Sequence, residues 1–224
     1  MNILIAGGGI VGRNITKALS KDHNVIVIER DKDLCEKIYS KYGAVAINGD
    51  ATNINIMKEA GIEKIDYALG VMRYDSENLL FSLLCKNFGI KNIFVRMRDP
   101  EYRDAYEIAG ATNIGSAVDM LTKKFILDIQ DPEIRRVASL RNGRAEVSIV
   151  TIPDHSHAIG KTVQELAGRP GFPDECVIAG IFDINEDRFI VPRGKTQFSK
   201  GNQIFLVGKR ESISQAYKSF SKKR

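Results

Sequence analysis

Apolar residues in the first half of the chain fall into short runs separated by segments of helical period. The runs are Asn2–Ala6, Val25–Glu29, Ala44–Asn48, Tyr67–Met72, Asn92–Met97 and a short one around Asn113-Ile114. Their length, and the scarcity of charge inside them, predict strands buried on both faces. Between them, Val11–Ser20, Lys32–Tyr42, Ile54–Ala60, Asp75–Phe88 and Tyr102–Ala109 carry the period of helices. Strand and helix alternate, which predicts a parallel sheet with helices on both faces. Two successive three-strand units make this a doubly wound, Rossmann-like α/β lobe, with its ligand crevice at the carboxyl ends of the first and fourth strands.

The pattern then changes. Ala117 to Asp128 reads as another helix, with Val118, Leu121, Phe125 and Ile129 on one stripe, and Pro132 opens a second short helix to about Ala138. A helix pair leaving a finished sheet must bury its apolar face against its own domain or against another copy of the chain. The polar, turn-like Leu140-Arg-Asn-Gly-Arg144 marks a boundary, giving lobes 1–139 and 140–224. The second lobe reads as small and α+β. It has a strand at Ala145–Ile152, a capping-box helix start at Thr162-Val-Gln-Glu165, and a hairpin of Val177–Ile184 and Phe189–Val191 around Asn185-Glu-Asp-Arg188. A strand at Gln203–Gly208 follows Gly201-Asn202, and Ile213, Ala216, Tyr217 and Phe220 mark a last helix.

Composition narrows the setting. The chain has 224 residues, 43% of them hydrophobic, enough for proper cores. It holds no apolar run of about 18 residues and no signal-peptide pattern, so a cytosolic protein that is not itself membrane-embedded is expected. Cys35, Cys85 and Cys176 stand far apart among apolar neighbours, as reduced core thiols do. The net charge of +5 is scattered apart from the terminal Lys222-Lys223-Arg224, which argues against nucleic-acid binding.

The chemistry concentrates at Gly7-Gly8-Gly9-Ile10-Val11-Gly12, between the first strand and the first helix. In a Gly-x-Gly-x-x-Gly turn, Gly7 permits the bend, Gly9 lets a pyrophosphate approach the backbone and Gly12 lets the helix pack close to the strand. The helix N-terminus then offers free N–H groups to the anion. Glu29, ending the second strand, can accept hydrogen bonds from ribose hydroxyls and would repel a 2′-phosphate, favouring NAD(H) or an adenine nucleotide over NADP(H). Otherwise it is a solvated acid pairing with Arg30 or Lys32. Asp50, in Asn48-Gly49-Asp50-Ala51-Thr52, closes the third strand beside the crevice; alternatively Asp50 or Thr52 caps the helix from Ile54. Arg96 and Arg98 end the fifth strand, within reach of phosphates or a neighbouring acid. His155-Ser-His157 offers two alternate imidazoles, but a zinc site needs further ligands and the remaining histidine, His23, lies in the first lobe. No Tyr-x-x-x-Lys pair, Cys/His couple or crevice histidine supplies the acid or base that hydride transfer needs. The site reads as built to bind, with a small NAD-dependent oxidoreductase as the rival.

With these residues in view, the chain resembles the regulator-of-potassium-conductance family, the TrkA/KtrA-type cytosolic subunits of potassium transporters and the gating rings of potassium channels. The resemblance rests on Gly7-x-Gly9-x-x-Gly12, Glu29, the Gly49-Asp50-Ala51-Thr52 tetrad, Asp75-x-x-Asn78, Arg96, and a second lobe similar to the TrkA C-terminal domain through Ile159-Gly160-Lys161-Thr162, Leu166, Ile190-Val-Pro192 and Gly201-Asn202-Gln203. It implies that Gly7, Gly8, Gly9, Ile10, Val11, Gly12, Glu29, Arg30, Asp50, Ala51 and Thr52 contact a nucleotide, with Met72, Asp75, Asn78 and Arg96 near its distal end. The implied ligand is NAD(H) or ATP/ADP, with AMP also open. Ile10 replaces a polar or cationic residue of some members, and Met72-Arg73 a threonine-bearing turn, which leaves the distal preference between NAD(H) and ATP/ADP open. The resemblance further implies a non-catalytic subunit that forms dimers building to a ring, a membrane potassium transporter as partner, and room for a second small effector in the C-terminal lobe. A nucleotide-sensing regulator of some other transporter fits the same residues.

Overall fold

A computed structural model describes residues 1–140 and 144–221, so most of the turn expected at 140–144 and the terminal Lys222-Lys223-Arg224 run lie outside the described residues. The chain forms two compact units, Met1–Thr122 and Lys123–Arg224.

The first unit alternates β1 (Asn2–Ala6), α1 (Ile10–Leu19), β2 (Asn24–Glu29), α2 (Lys32–Tyr42), β3 (Val45–Asn48), α3 (Ile54–Glu59), β4 (Tyr67–Gly70), α4 (Asp75–Asn87), β5 (Asn92–Met97), α5 (Arg103–Ile108) and β6 (Asn113–Ser116), and runs into α6 (Ala117–Gln130). Its six strands are parallel in the order β3-β2-β1-β4-β5-β6, so the chain reverses its direction of winding between β1 and β4. Strand residues alternate between two cores. Leu4, Ala6 and Ile28 pack with Met57, Phe81, Cys85 and Tyr106 from α3, α4 and α5, whereas Ile3, Ile5, Val25 and Val27 pack with Ile38 of α2 and Ile15 and Leu19 of α1. Each fully buried large side chain of this kind is worth about 1.5–3 kcal/mol of transfer free energy, which makes the central strands the rigid floor of the crevice.

Local chemistry sets the helix ends. Asp31 caps α2 by accepting from the Leu34 N–H at 3.1 Å, and Gly43, at φ 66, ends it in the left-handed conformation. Asn53, and neither Asp50 nor Thr52, caps α3 through the Asn55 N–H. None of the residues of α6 is buried; Val118, Leu121, Phe125 and Ile129 all stand exposed, Ile129 at 80%.

The second unit is an antiparallel sheet of β7 (Ile134–Leu140), β8 (Ala145–Thr151), β9 (Cys176–Asp183), β10 (Arg188–Ile190) and β11 (Gln203–Gly208), ordered β10-β9-β11-β8-β7, with helices α7 (Val163–Ala167) and α8 (Arg210–Ser221). Ile213, Ala216 and Phe220 of α8 close a core with Val150, Ile181, Ile204 and Leu206. The capping box at Thr162 and Glu165 is formed in full.

One element differs in kind from the expectation. Residues from Pro132 to about Ala138 do not make a helix: Ile134–Leu140 is a strand paired with β8. The expected helix pair is therefore a single helix, α6, and residues 134–140 belong to the sheet of the second unit. The register shifts between Arg136 and Ala138, which breaks the alternation that would have marked a strand.

All three cysteines are buried and free. Burial pushes the Cys85 thiol up to about 12 and the Cys176 thiol to about 11, so both stay protonated and inert at neutral pH.

Candidate functional site

The crevice opens at the carboxyl ends of β1 and β4, where a doubly wound sheet changes winding direction. β1 is followed by Gly7, whose φ of 105 admits no ordinary side chain and whose N–H bonds to the Ile28 carbonyl at 2.9 Å. The chain then turns into α1 at Gly9, a cap residue with no side-chain hydrogen bond, and the first turn of α1 contains no acid. Its leading N–H groups are thus open to an anion, in the positive field of the helix end. A Cβ placed on Gly9 would meet nothing within 4 Å, so a ligand can approach the backbone there.

Above this turn lies a cleft of about 600 Å³, within the range of roughly 300–1,000 Å³ typical of small-molecule sites. Of the residues expected to bind, Gly7, Gly9, Ile10, Val11, Glu29, Arg30, Ala51, Met72 and Arg96 line it. Gly8, Gly12, Asp50, Thr52, Asp75 and Asn78 are not among its lining residues, and the structure gives most of them work behind the wall.

Glu29 lines the cleft with both carboxylate oxygens already engaged once, accepting the Gly8 N–H at 2.6 Å and the Asp31 N–H at 2.9 Å. Each oxygen keeps a further lone pair for a hydroxyl donor. The alternative pairing of Glu29 with Arg30 is not what forms. Arg30 instead reaches Glu77 at 2.6 Å and Asp50 at 2.8 Å. Asp50 accepts the Thr52 N–H and hydroxyl on its other oxygen. Burial alone would raise the Asp50 carboxyl, but the Thr52 hydrogen bonds and Arg30 together hold it below its ordinary value. Both Asp50 and Thr52 therefore act as a loop brace, with Ala51 reaching the cleft.

Asn78 is 1% exposed and ties two cleft edges together: its amide oxygen accepts the Met72 N–H at 2.9 Å, and its amide nitrogen donates to the carbonyls of Met72 and Arg96. The Asp75 carboxylate accepts the N–H groups of Arg98 and Asp99 and the Tyr106 hydroxyl. That anchors the start of α4 to the loop after β5. Burial, reinforced by the Asp75 hydrogen bond, pushes the Tyr106 phenol up, so it remains a donor. Arg96 is half-buried in the cleft wall, and among the described residues no carboxylate forms an ion pair with it. A half-buried cation of this kind is suited to a phosphate.

Sequence reasoning did not place Val71, Tyr74 and Glu77 in the cleft, and named Arg73 only as part of the Met72-Arg73 turn. They come from the loop after β4 and the first turn of α4. The Arg73 guanidinium stacks 5.5 Å from the Tyr74 ring. The visible signal was position alone, since the loop after the fourth strand faces the crevice in any doubly wound sheet. Among the described residues no group of three or more His, Cys, Asp or Glu could hold a metal. The His155-Ser-His157 segment is instead pinned through Ser156, whose hydroxyl donates to the Phe220 carbonyl and accepts the Ala158 N–H.

Against known proteins, residues 3–117 match the TrkA-N domain and residues 147–221 the TrkA-C domain. The chain belongs to the TrkA family. The TrkA family is one of regulatory, non-catalytic domains, and the relatives that follow are potassium uptake proteins by name. It is 32% identical to the Trk system potassium uptake protein TrkA homolog of Archaeoglobus fulgidus over 95% of its own length and 48% of that protein's. Against the TrkA homolog of Methanothermobacter thermautotrophicus it is 26% identical over 99% of its length and all of that protein. The chain thus spans about half the length of the first of these TrkA relatives and the whole of the second. Among solved structures, the GsuK channel bound to NAD superposes with a TM-score of 0.65 at 15% identity, covering 100% of this chain and 40% of that one. GsuK bound to ADP gives 0.52 at 16% identity, over 59% and 35%. At such identities these likenesses show the fold alone. Among the described residues no helix is long and apolar enough to cross a membrane.

Proposed function

We propose that the N-terminal lobe of this TrkA-family chain binds NAD(H) or an adenine nucleotide, ATP or ADP, without turning it over, and that occupancy gates a membrane potassium transporter. The carrying observation is the cleft itself: an uncapped α1 N-terminus beside the open face of Gly9, with the Arg96 cation in the wall and Glu29 at the ribose end. The phosphates lie against α1 and Arg96, and the ribose hydroxyls meet Glu29. That a GsuK channel binds NAD, and GsuK binds ADP, supports the same class of ligand here.

A nucleotide shifts a gate only through its differential affinity for two shapes, and typical couplings are about 1–3 kcal/mol. The route for that coupling is the α4 start. Asn78 and Asp75 join the cleft loop at Met72 and the end of β5 to α4, so a ligand that moves Met72 or Arg96 pulls on that helix. The exposed stripe of α6 then serves self-association, and the partner is an integral-membrane potassium transporter subunit at the cytoplasmic face. The C-terminal lobe takes a second small effector in this reading. The test is potassium flux in vesicles carrying the cognate transporter, with and without this chain and with Gly9→Asp. Flux that changes with nucleotide for wild type, and not for Gly9→Asp, is the expected result. Flux indifferent to the chain would return the site to the oxidoreductase or general-sensor readings.

A further inference from the structure

The end of β2 carries both signals for the ribose 2′ position. Glu29 suits a free hydroxyl, and Arg30, directly after it, suits a 2′-phosphate. The geometry separates the two. Glu29 is turned into the cleft and held by the Gly8 N–H, while the Arg30 guanidinium is forked between two carboxylates, Nη1 on Glu77 at 2.6 Å and Nη2 on Asp50 at 2.8 Å.

We propose that Asp50 and Glu77 form a specificity device: by holding the Arg30 guanidinium between them, they withhold it from a 2′-phosphate, so the cleft takes a nucleotide with a free ribose 2′-hydroxyl and rejects its 2′-phosphorylated counterpart. This rests on the nucleotide reading above and deepens it.

Three features argue that the fork is built. Asp50 is aimed, because its other oxygen is taken by the Thr52 N–H and hydroxyl. The Arg30 backbone is fixed, because its carbonyl accepts the Asn48 amide at 2.7 Å. Glu77 sits in the first turn of α4, where the helix field favours its charged form. Half-exposed ion pairs add little to stability, so stability alone gives no reason for an arrangement that spans from β2 to α4. Two carboxylates on one guanidinium, with the Glu29 carboxylate preceding Arg30 at the end of β2, also leave this corner net negative, which a doubly charged 2′-phosphate would meet as repulsion. Among the described residues no carboxylate pairs with Arg96 elsewhere in the cleft wall, so phosphate charge is welcomed there and refused at the Arg30 end.

The test is calorimetric titration of the full chain with NAD and with NADP, reading the ratio of the two dissociation constants. For Asp50→Asn/Glu77→Gln the ratio of Kd(NADP) to Kd(NAD) should fall by about tenfold or more, the scale of one freed charge-assisted contact. Adding Arg30→Ala to that background should restore the discrimination. If NAD still binds and the ratio stays within about twofold of wild type, the proposal is overturned. A fall that persists after Arg30→Ala also overturns it, since relief of repulsion and not Arg30 would then be responsible. Should circular dichroism show the double variant unfolded, Glu77→Gln alone must lower the ratio about threefold or more. Wild type that binds none of NAD, NADP, ATP and ADP removes the reading beneath the proposal, a result distinct from NAD binding with an unmoved ratio.

Discussion

The Gly7 carbonyl oxygen lies 1.9 Å from where a Cβ on Gly12 would stand. No side chain fits there, because the colliding atom is backbone in the turn that shapes the cleft. Gly12→Ala must therefore push α1 off β1, at a cost at the upper end of the ~1–3 kcal/mol seen for overpacked cores. Chemical denaturation should show the N-terminal transition shifted by that amount. A loss below about 0.5 kcal/mol would mean that the turn relaxes freely.

Asn78 offers a second prediction, because it is buried and fully used. Asn78→Ala would strand the Met72 N–H and leave the Met72 and Arg96 carbonyls without their donor. An unsatisfied buried polar group costs about 1–3 kcal/mol, and the two loosened residues are both in the cleft wall. Thermal denaturation should show the loss, and nucleotide affinity should fall with it. Affinity unchanged in a destabilised variant would separate Asn78 from the site.

The charge cluster of the second unit predicts a pH dependence. Hydrogen bonding from Arg136, outweighing burial and assisted by Arg210, holds the Asp131 carboxyl below its ordinary value of 3.8. A depressed carboxylate contributes stability above its unfolded pKa and loses it as pH falls through the folded value. The contribution is thus present at neutral pH and lost below about pH 4. Arg136→Gln should flatten the acid limb of the stability curve in that window. An unchanged limb would show that Asp131 is held by other groups.

Self-association is expected through α6. Phe125 is 58% exposed on a helix that buries none of its residues. Light scattering of the wild type at micromolar concentration should show an oligomer, and Phe125→Asp should shift it toward the monomer. A strictly monomeric wild type would contradict this.

The doubly wound lobe was legible because each signal was local: α2 and β5 fall on the residues read from the sequence, and the glycine turn and Glu29 announce the crevice. The stretch from Pro132 was not. Seven residues beside a proline carry little period, and pairing with β8, together with the irregularity after Arg136, decided their conformation. Glu77 was equally hidden, since its value lies in Arg30, 47 positions away in sequence. Asp50 and Thr52 were found by their motif, but their bonds make them a brace, while Asn53 does the capping.

Binding of nucleotide in this cleft, against the open Gly9 backbone, is read by thermal shift. Nucleotide at a hundred times its dissociation constant adds about 2.7 kcal/mol, which at this chain length raises the melting temperature by roughly 5–10 °C. NAD, NADH, ATP, ADP and AMP should be compared with NADP, on wild type and on Gly9→Asp, in protein stripped of copurified nucleotide. A Cβ at Gly9 meets nothing, so that variant should fold while its carboxylate fills the phosphate position. The expected result is a shift with at least one of NAD(H), ATP and ADP for wild type, little or none with NADP, and none for a folded Gly9→Asp. No shift with any of them at millimolar concentration, or an equal shift in Gly9→Asp, would contradict it.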